Sequence, residues 1–325
     1  MKKALLIATT LYSAAAYAEP ETTIADEPLM DPGYLQPEML PQEELRIEPT
    51  ELFEQTRRKS PFWASTLSTF LPGSGHAYLG DYKTAGGMLG GVGLFGGLSY
   101  YSDDYSGFNA VTASNLIMYS VYAAYRDARA YNNFSGYSYQ MPTDSLKDLI
   151  LAPFQWSVIK KPEVWGGVLG ALALAVGIQN LVDSIDGEAR LALSSDGPGF
   201  SPLAAFPVGI GEEAYFRGYL QTMIAEATNP WAGIITSSLL FGAVHIPNAR
   251  AFGLSGKEEM RYYTTVIPMI SAFGAYFGWL TYKNCSLKES TAVHSWYDFT
   301  LFLAASSASS SLAIGKPTLS FSFAF

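Results

Sequence analysis

The sequence predicts an all-α, polytopic helical membrane protein, led by a signal peptide and a disordered acidic tail, and three observations carry this. Hydrophobic residues make up 49% of the 325 positions and charged residues 15%, well under the ~25% charged share of ordinary soluble domains. Long apolar runs recur along the chain, separated by short polar stretches. Thirty glycines and 21 tyrosines suit close helix packing and interfacial aromatic belts.

Residues 1–18 carry Lys2 and Lys3, a short apolar run, and Ala16-Tyr17-Ala18 before Glu19, the pattern of a secretory signal peptide. The chain is therefore expected in a bacterial cell membrane, multi-pass, and in the inner membrane. Residues 19–60 read as an acidic, proline-rich flexible segment. Residues 19–56 hold eleven acids against one base, Arg46, and so account for the formal net charge of −9. The remainder is nearly neutral, and no basic patch argues for nucleic acid.

Residues 61–130 are expected to form a glycine-rich transmembrane hairpin module. Phe62 to Leu71 is too short to span, and Leu71-Pro72-Gly73-Ser74-Gly75-His76 breaks it as a re-entrant or interfacial turn would. His76 is read as a loop histidine and left out of the site. Thr84 to Tyr101 follows, with the small-xxx-small pairs Gly86/Gly90, Gly87/Gly91 and Gly93/Gly97. Phe108 to Tyr125 is a second spanning run. Residues 131–160 read as a linker and an interfacial helix.

Residues 161–306 form the principal membrane domain. Its expected helices are Val164–Val182, Phe200–Ile224, Trp231–Ile246 with Pro247 at its end, Tyr262–Tyr282 and Thr291–Ala305. Residues 307–325 are a tail whose alternating Leu319–Phe325 is similar to the closing strand of an outer-membrane barrel, although the long unbroken apolar runs elsewhere argue against a barrel. With one cysteine, Cys285, no internal disulfide forms.

Within the apolar runs of this domain, acidic, basic and histidine side chains fall at three places. Gly211-Glu212-Glu213-Ala214-Tyr215-Phe216-Arg217-Gly218 puts two carboxylates and an arginine in an apolar run, where ionised groups cost at least ~2.5–3.5 kcal/mol on insertion scales and therefore carry function. On a helix Glu213 and Arg217 share a face, and Glu212 is turned about 100° away. Arg217 can then hold Glu213 while Glu212 meets water or substrate. Phe241 to His245 ends another apolar run, and His294 with Asp298, four apart, shares a face of the last.

These three motifs in this order, Glu-Glu-x-x-x-Arg, Phe-x-x-x-His and His-x-x-x-Asp, resemble the CPBP family of intramembrane proteases. That family includes the endopeptidases that trim prenylated CAAX proteins and the bacterial Abi-type members. The resemblance covers residues 160 to 306, and Asp298 stands where asparagine is common. It implies a metal-independent glutamic endopeptidase without a cofactor, acting on a peptide or membrane-protein substrate in the lipid bilayer. Glu212 would be the general base, and His245 would position or protonate. His294 and Asp298 would support the oxyanion, with Asp298 either orienting His294 or itself protonated. Glu213 with Arg217 would be structural or assist the base, and Phe241 supports the site. Two histidines and two glutamates could also hold zinc, but no His-Glu-x-x-His helix is present. Two further readings stay open, a non-catalytic membrane scaffold or immunity protein and a proton-relaying transport component.

Overall fold

The structure, a computed structural model, describes residues 58–102, 105–186 and 201–312. The expected signal peptide, nearly all of the acidic segment and the alternating end of the tail lie outside them. Among the described residues every regular element is helical.

Local chemistry sets the helix ends. In α1 (Pro61–Phe70) Ser60 Oγ accepts from Trp63 N at 3.2 Å, one of the orphan donors of a first turn. The break at Pro72-Gly73 follows, with Gly73 at φ +86° and pressed on the backbone of Ala85, where no β-carbon fits. α2 (Ser74–Leu79) ends on left-handed Gly80, and Asp81 then caps α3 (Tyr82–Tyr101) through Thr84. α4 (Ser106–Tyr131) runs back beside α3. The stretch expected at the interface forms α5 (Leu146–Leu151), opened by a Ser145/Asp148 capping box, then a 3₁₀ turn and α6 (Trp156–Ile159).

The second half comprises α7 (Pro162–Asp186), α8 (Ala205–Glu213), a π-helical stretch (Ala214–Gln221), α9 (Thr222–Ala227) and α10 (Pro230–Ala243). Then come the short α11 (Asn248–Ala251) and α12 (Lys257–Arg261), a second π-helical stretch (Tyr262–Val266), α13 (Ile267–Asn284) and α14 (Lys288–Leu312).

α4 packs along α8. Gly211 lies against Asn115 and Gly218 against Tyr122, so closely that a β-carbon at either glycine would overlap its neighbour. The polar connection after α4 is pinned to the second half as well. Glu226 accepts from Ser138 N at 2.8 Å and Tyr139 N at 3.0 Å, and Asp144 accepts from Leu287 N at 2.7 Å. The two halves therefore share one helical core.

The helices bury charge and expose large apolar side chains. Leu169, Trp231 and Leu239 are 64%, 59% and 59% exposed, while Glu213, Arg217, Gln221, Thr222 and Ser237 are fully buried. A surface apolar on this scale and an interior holding charge are what a hydrocarbon surround selects. One helical segment among the described residues, Pro230–Ala251, is long and apolar enough to cross a membrane, and Pro162–Gly177 is a shorter apolar one. The other expected spans are helical but less apolar than the sequence reading had them. α4 carries Asn109, Thr112, Asn115 and Ser120 on its buried face, and α14 carries Glu289, Ser290, Thr291, His294, Ser295 and Asp298, so their mean hydropathy falls.

Candidate active site

The site forms where α8, its π-helical continuation, the end of α10, and α14 meet. Glu212 and Glu213 are the last two residues of α8, and the backbone passes into the π-helical stretch directly after them. Such stretches recur at functional sites. Gly209, one turn earlier, leaves α14 room to approach, because Ser295 lies where its β-carbon would be. That approach brings His294 to the two glutamates.

Both nitrogens of His294 face carboxylates. Nδ1 lies 2.9 Å from Glu213 Oε1. Nε2 lies 3.4 Å from Asp298 Oδ2 and 3.7 Å from Glu212 Oε2. Glu213 Oε1 also pairs with Arg217 at 3.2 Å. An oxygen that takes a guanidinium is an acceptor, so Nδ1 is the protonated, donating nitrogen and Nε2 is turned to Asp298 and Glu212. Glu212 makes no direct hydrogen bond at 3.7 Å and keeps 7% of its surface, whereas Glu213 is sealed.

Arg217 is held by rings. Its guanidinium carbon is 4.2 Å from the centroid of Phe241 and 5.3 Å from that of Phe277, within cation–π range. Phe241 also meets the His245 ring edge-on at 5.0 Å and the His294 ring at 5.9 Å, so it sits between the two imidazoles. Phe277 stacks on His294 at 5.2 Å with the planes 18° apart.

Glu212, Glu213, Arg217, His294 and Asp298 thus form one contact network. His245 does not join it directly. The helix expected to deliver it stops at Ala243, and His245 lies half-buried on the turn that follows. Its Nδ1 donates to the Phe241 carbonyl at 2.7 Å, which leaves Nε2 free of that bond. The sequence division between a held Glu213 and a free Glu212 needs one addition, since His294 also grips the Glu213 Oε1 that Arg217 takes. Phe277 was missed. It lies in an apolar run, Phe273 to Trp279, with no charged residue beside it to set it apart from ordinary core.

Residues 196–300 match the family model of Type II CAAX prenyl endopeptidase Rce1-like proteins. That range contains all seven residues predicted for the site, and the match supports a CPBP/CAAX protease-like family. No curated protein and no solved structure matches the chain.

Proposed function

With residues 196–300 as an Rce1-like domain of a membrane-embedded protease family, we propose that this protein is a multi-pass intramembrane glutamic endopeptidase in which Glu212 activates water. The observation that carries the reading is the convergence on His294 of three carboxylates from two helices, one of them, Glu212, without a direct hydrogen bond among the described residues. The exposed apolar side chains together with the buried charge support the multi-pass arrangement.

In the proposed reaction Glu212 takes a proton from water as the oxygen attacks the peptide carbonyl carbon. A tetrahedral oxyanion forms. The proton on Glu212 passes to the amide nitrogen, the C–N bond breaks, and a carboxylate and an amine leave. Glu213 fixes the Nδ1–H tautomer of His294 and so aims Nε2 toward Glu212 and Asp298. In its imidazolium form His294 donates from Nε2 to the developing charge, with Asp298 orienting the ring. His245, whose Nδ1 is committed to the Phe241 carbonyl, has Nε2 to position the water or to relay the Glu212 proton to the leaving nitrogen. Arg217 balances Glu213.

Proteomes of cells carrying wild-type protein or Glu212→Gln test this. The expected result is a membrane or envelope protein that accumulates uncut in the variant. Identical proteomes at equal protein levels would overturn the reading.

A further inference from the structure

Behind the catalytic helix, on the face of α8 presented by Phe206, Pro207 and Ile210, lies a cavity of about 670 Å³ walled opposite by α3 and α4. Gly87, Met88 and Gly91 of α3 line it, and Gly87 has open space where a side chain would stand. Twelve of its sixteen lining residues fall outside the Rce1-like match, so the chain's own N-terminal helices build it. Its volume is that of a small-ligand site.

The polar donors in the wall are engaged within it, and the one buried wall acceptor without a partner among the described residues, Asn115 Oδ1, lies against Gly211 of α8. Thr84 Oγ1 donates to Asp81 at 2.6 Å, Thr112 Oγ1 to the Phe108 carbonyl at 2.8 Å, and Asn115 Nδ2 to the Val111 carbonyl at 3.0 Å. Ile150, Phe154 and Leu203, which also line it, are 49%, 56% and 56% exposed, so its mouth opens on an apolar rim. The lining part of α3, Thr84 to Phe95, is ~16 Å long at the helical rise, the depth of one leaflet of a ~30 Å hydrocarbon core.

Two exposed lysines flank the lining in sequence. Lys83 and Lys147 stand next in sequence to the lining residues Thr84 and Leu146, both are exposed, and neither has an ion-pair partner among the described residues. Of the acids beside them, Asp148 is paired with Lys288 and held by Ser145, and Asp81 is held by the cap on Thr84.

From this length, lining and charge we infer that the cavity holds one acyl chain of an anionic phospholipid, with its phosphate at Lys83 and Lys147. The inference rests on the membrane embedding proposed above and is independent of proteolysis. The chain braces α8 beside α14, whose Trp296 and Phe299 pack on the lining residue Phe206.

Native mass spectrometry of the full chain in mild detergent, titrated with dioleoyl phosphatidylglycerol or dioleoyl phosphatidylcholine, tests it. One phosphatidylglycerol is retained in preference to phosphatidylcholine. The surface changes Lys83→Gln and Lys147→Gln each weaken it about fivefold, and Gly87→Leu, which fills the cavity, expels it. Glu212→Gln binds lipid as wild type does, so a failed protease assignment and a failed lipid site are told apart. Equal retention of the two lipids, retention unchanged by both lysine substitutions, or displacement of the phospholipid by an equimolar acylated peptide would overturn the inference.

Discussion

Glu213 and His294, separated by 81 residues in sequence, meet at 2.9 Å through Oε1 and Nδ1. The same carboxylate oxygen takes Arg217 one turn along its own helix. A single buried atom thereby ties the helix that carries the proposed base to the helix that carries the proposed oxyanion support.

Removing Arg217 should therefore damage stability as well as activity. Arg217→Leu leaves Glu213 buried with only His294 as partner, and breaking a buried pair in this way costs about 3–5 kcal/mol. The double variant Glu213→Leu/Arg217→Leu should recover part of that loss. Denaturant unfolding in mixed micelles gives the coupling; additive losses would mean that the pair is not energetically linked.

Close approach of α4 to α8 makes a sharper prediction about glycine. Gly211→Ala would push a methyl group into Asn115 and should cost about 1–3 kcal/mol as overpacking. Gly90→Ala meets nothing and should be neutral or stabilising by up to ~1 kcal/mol. The same unfolding assay distinguishes them, and equal effects would contradict the packing of these two helices.

Phe277 is expected to position His294. Phe277→Leu removes the stacked ring and should lower kcat by about 2- to 12-fold, the worth of one aromatic pair, with KM little changed. Phe277→Tyr should restore most of the rate. A loss confined to KM would assign the ring to substrate contact instead.

At the interfacial helix the capping box makes a pH prediction. Hydrogen bonds from the Ser145 side chain and backbone, helped by Lys288, lower the carboxyl of Asp148 from its ordinary 3.8 to about 2. A depressed acid contributes stability that is fully present above its unfolded value and is lost as pH falls toward the folded one. The contribution of Asp148 should thus fade between about pH 4 and pH 2. Carboxyl ¹³C shifts of Asp148 in Ser145→Ala should titrate closer to 3.8; an unchanged titration would refute the role of the cap.

The candidate site was largely legible because charge in an apolar run is conspicuous and helical spacing of four pairs residues on one face. That logic placed Glu213 with Arg217 and His294 with Asp298. It could not show which helices approach, so the grip of His294 on Glu213 and the stacking of Phe277 emerged only in three dimensions. His245 was set on a helix because it falls in the apolar run Trp231–Ile246 that Pro247 ends, but the chain leaves the helix at Val244. The helical class followed from the long apolar runs. The number of clear spans did not, because helices that bury polar groups against one another lose the hydropathy by which a span is read.

Cleavage of a fluorogenic transmembrane peptide by purified protein in liposomes, compared between wild type and Glu212→Gln, tests the central claim most directly. The account predicts that a correctly folded Glu212→Gln loses about 10²- to 10⁴-fold in kcat, the range for a general base. Cleavage at the wild-type rate, or proton flux without any cleavage by the wild type, would contradict it.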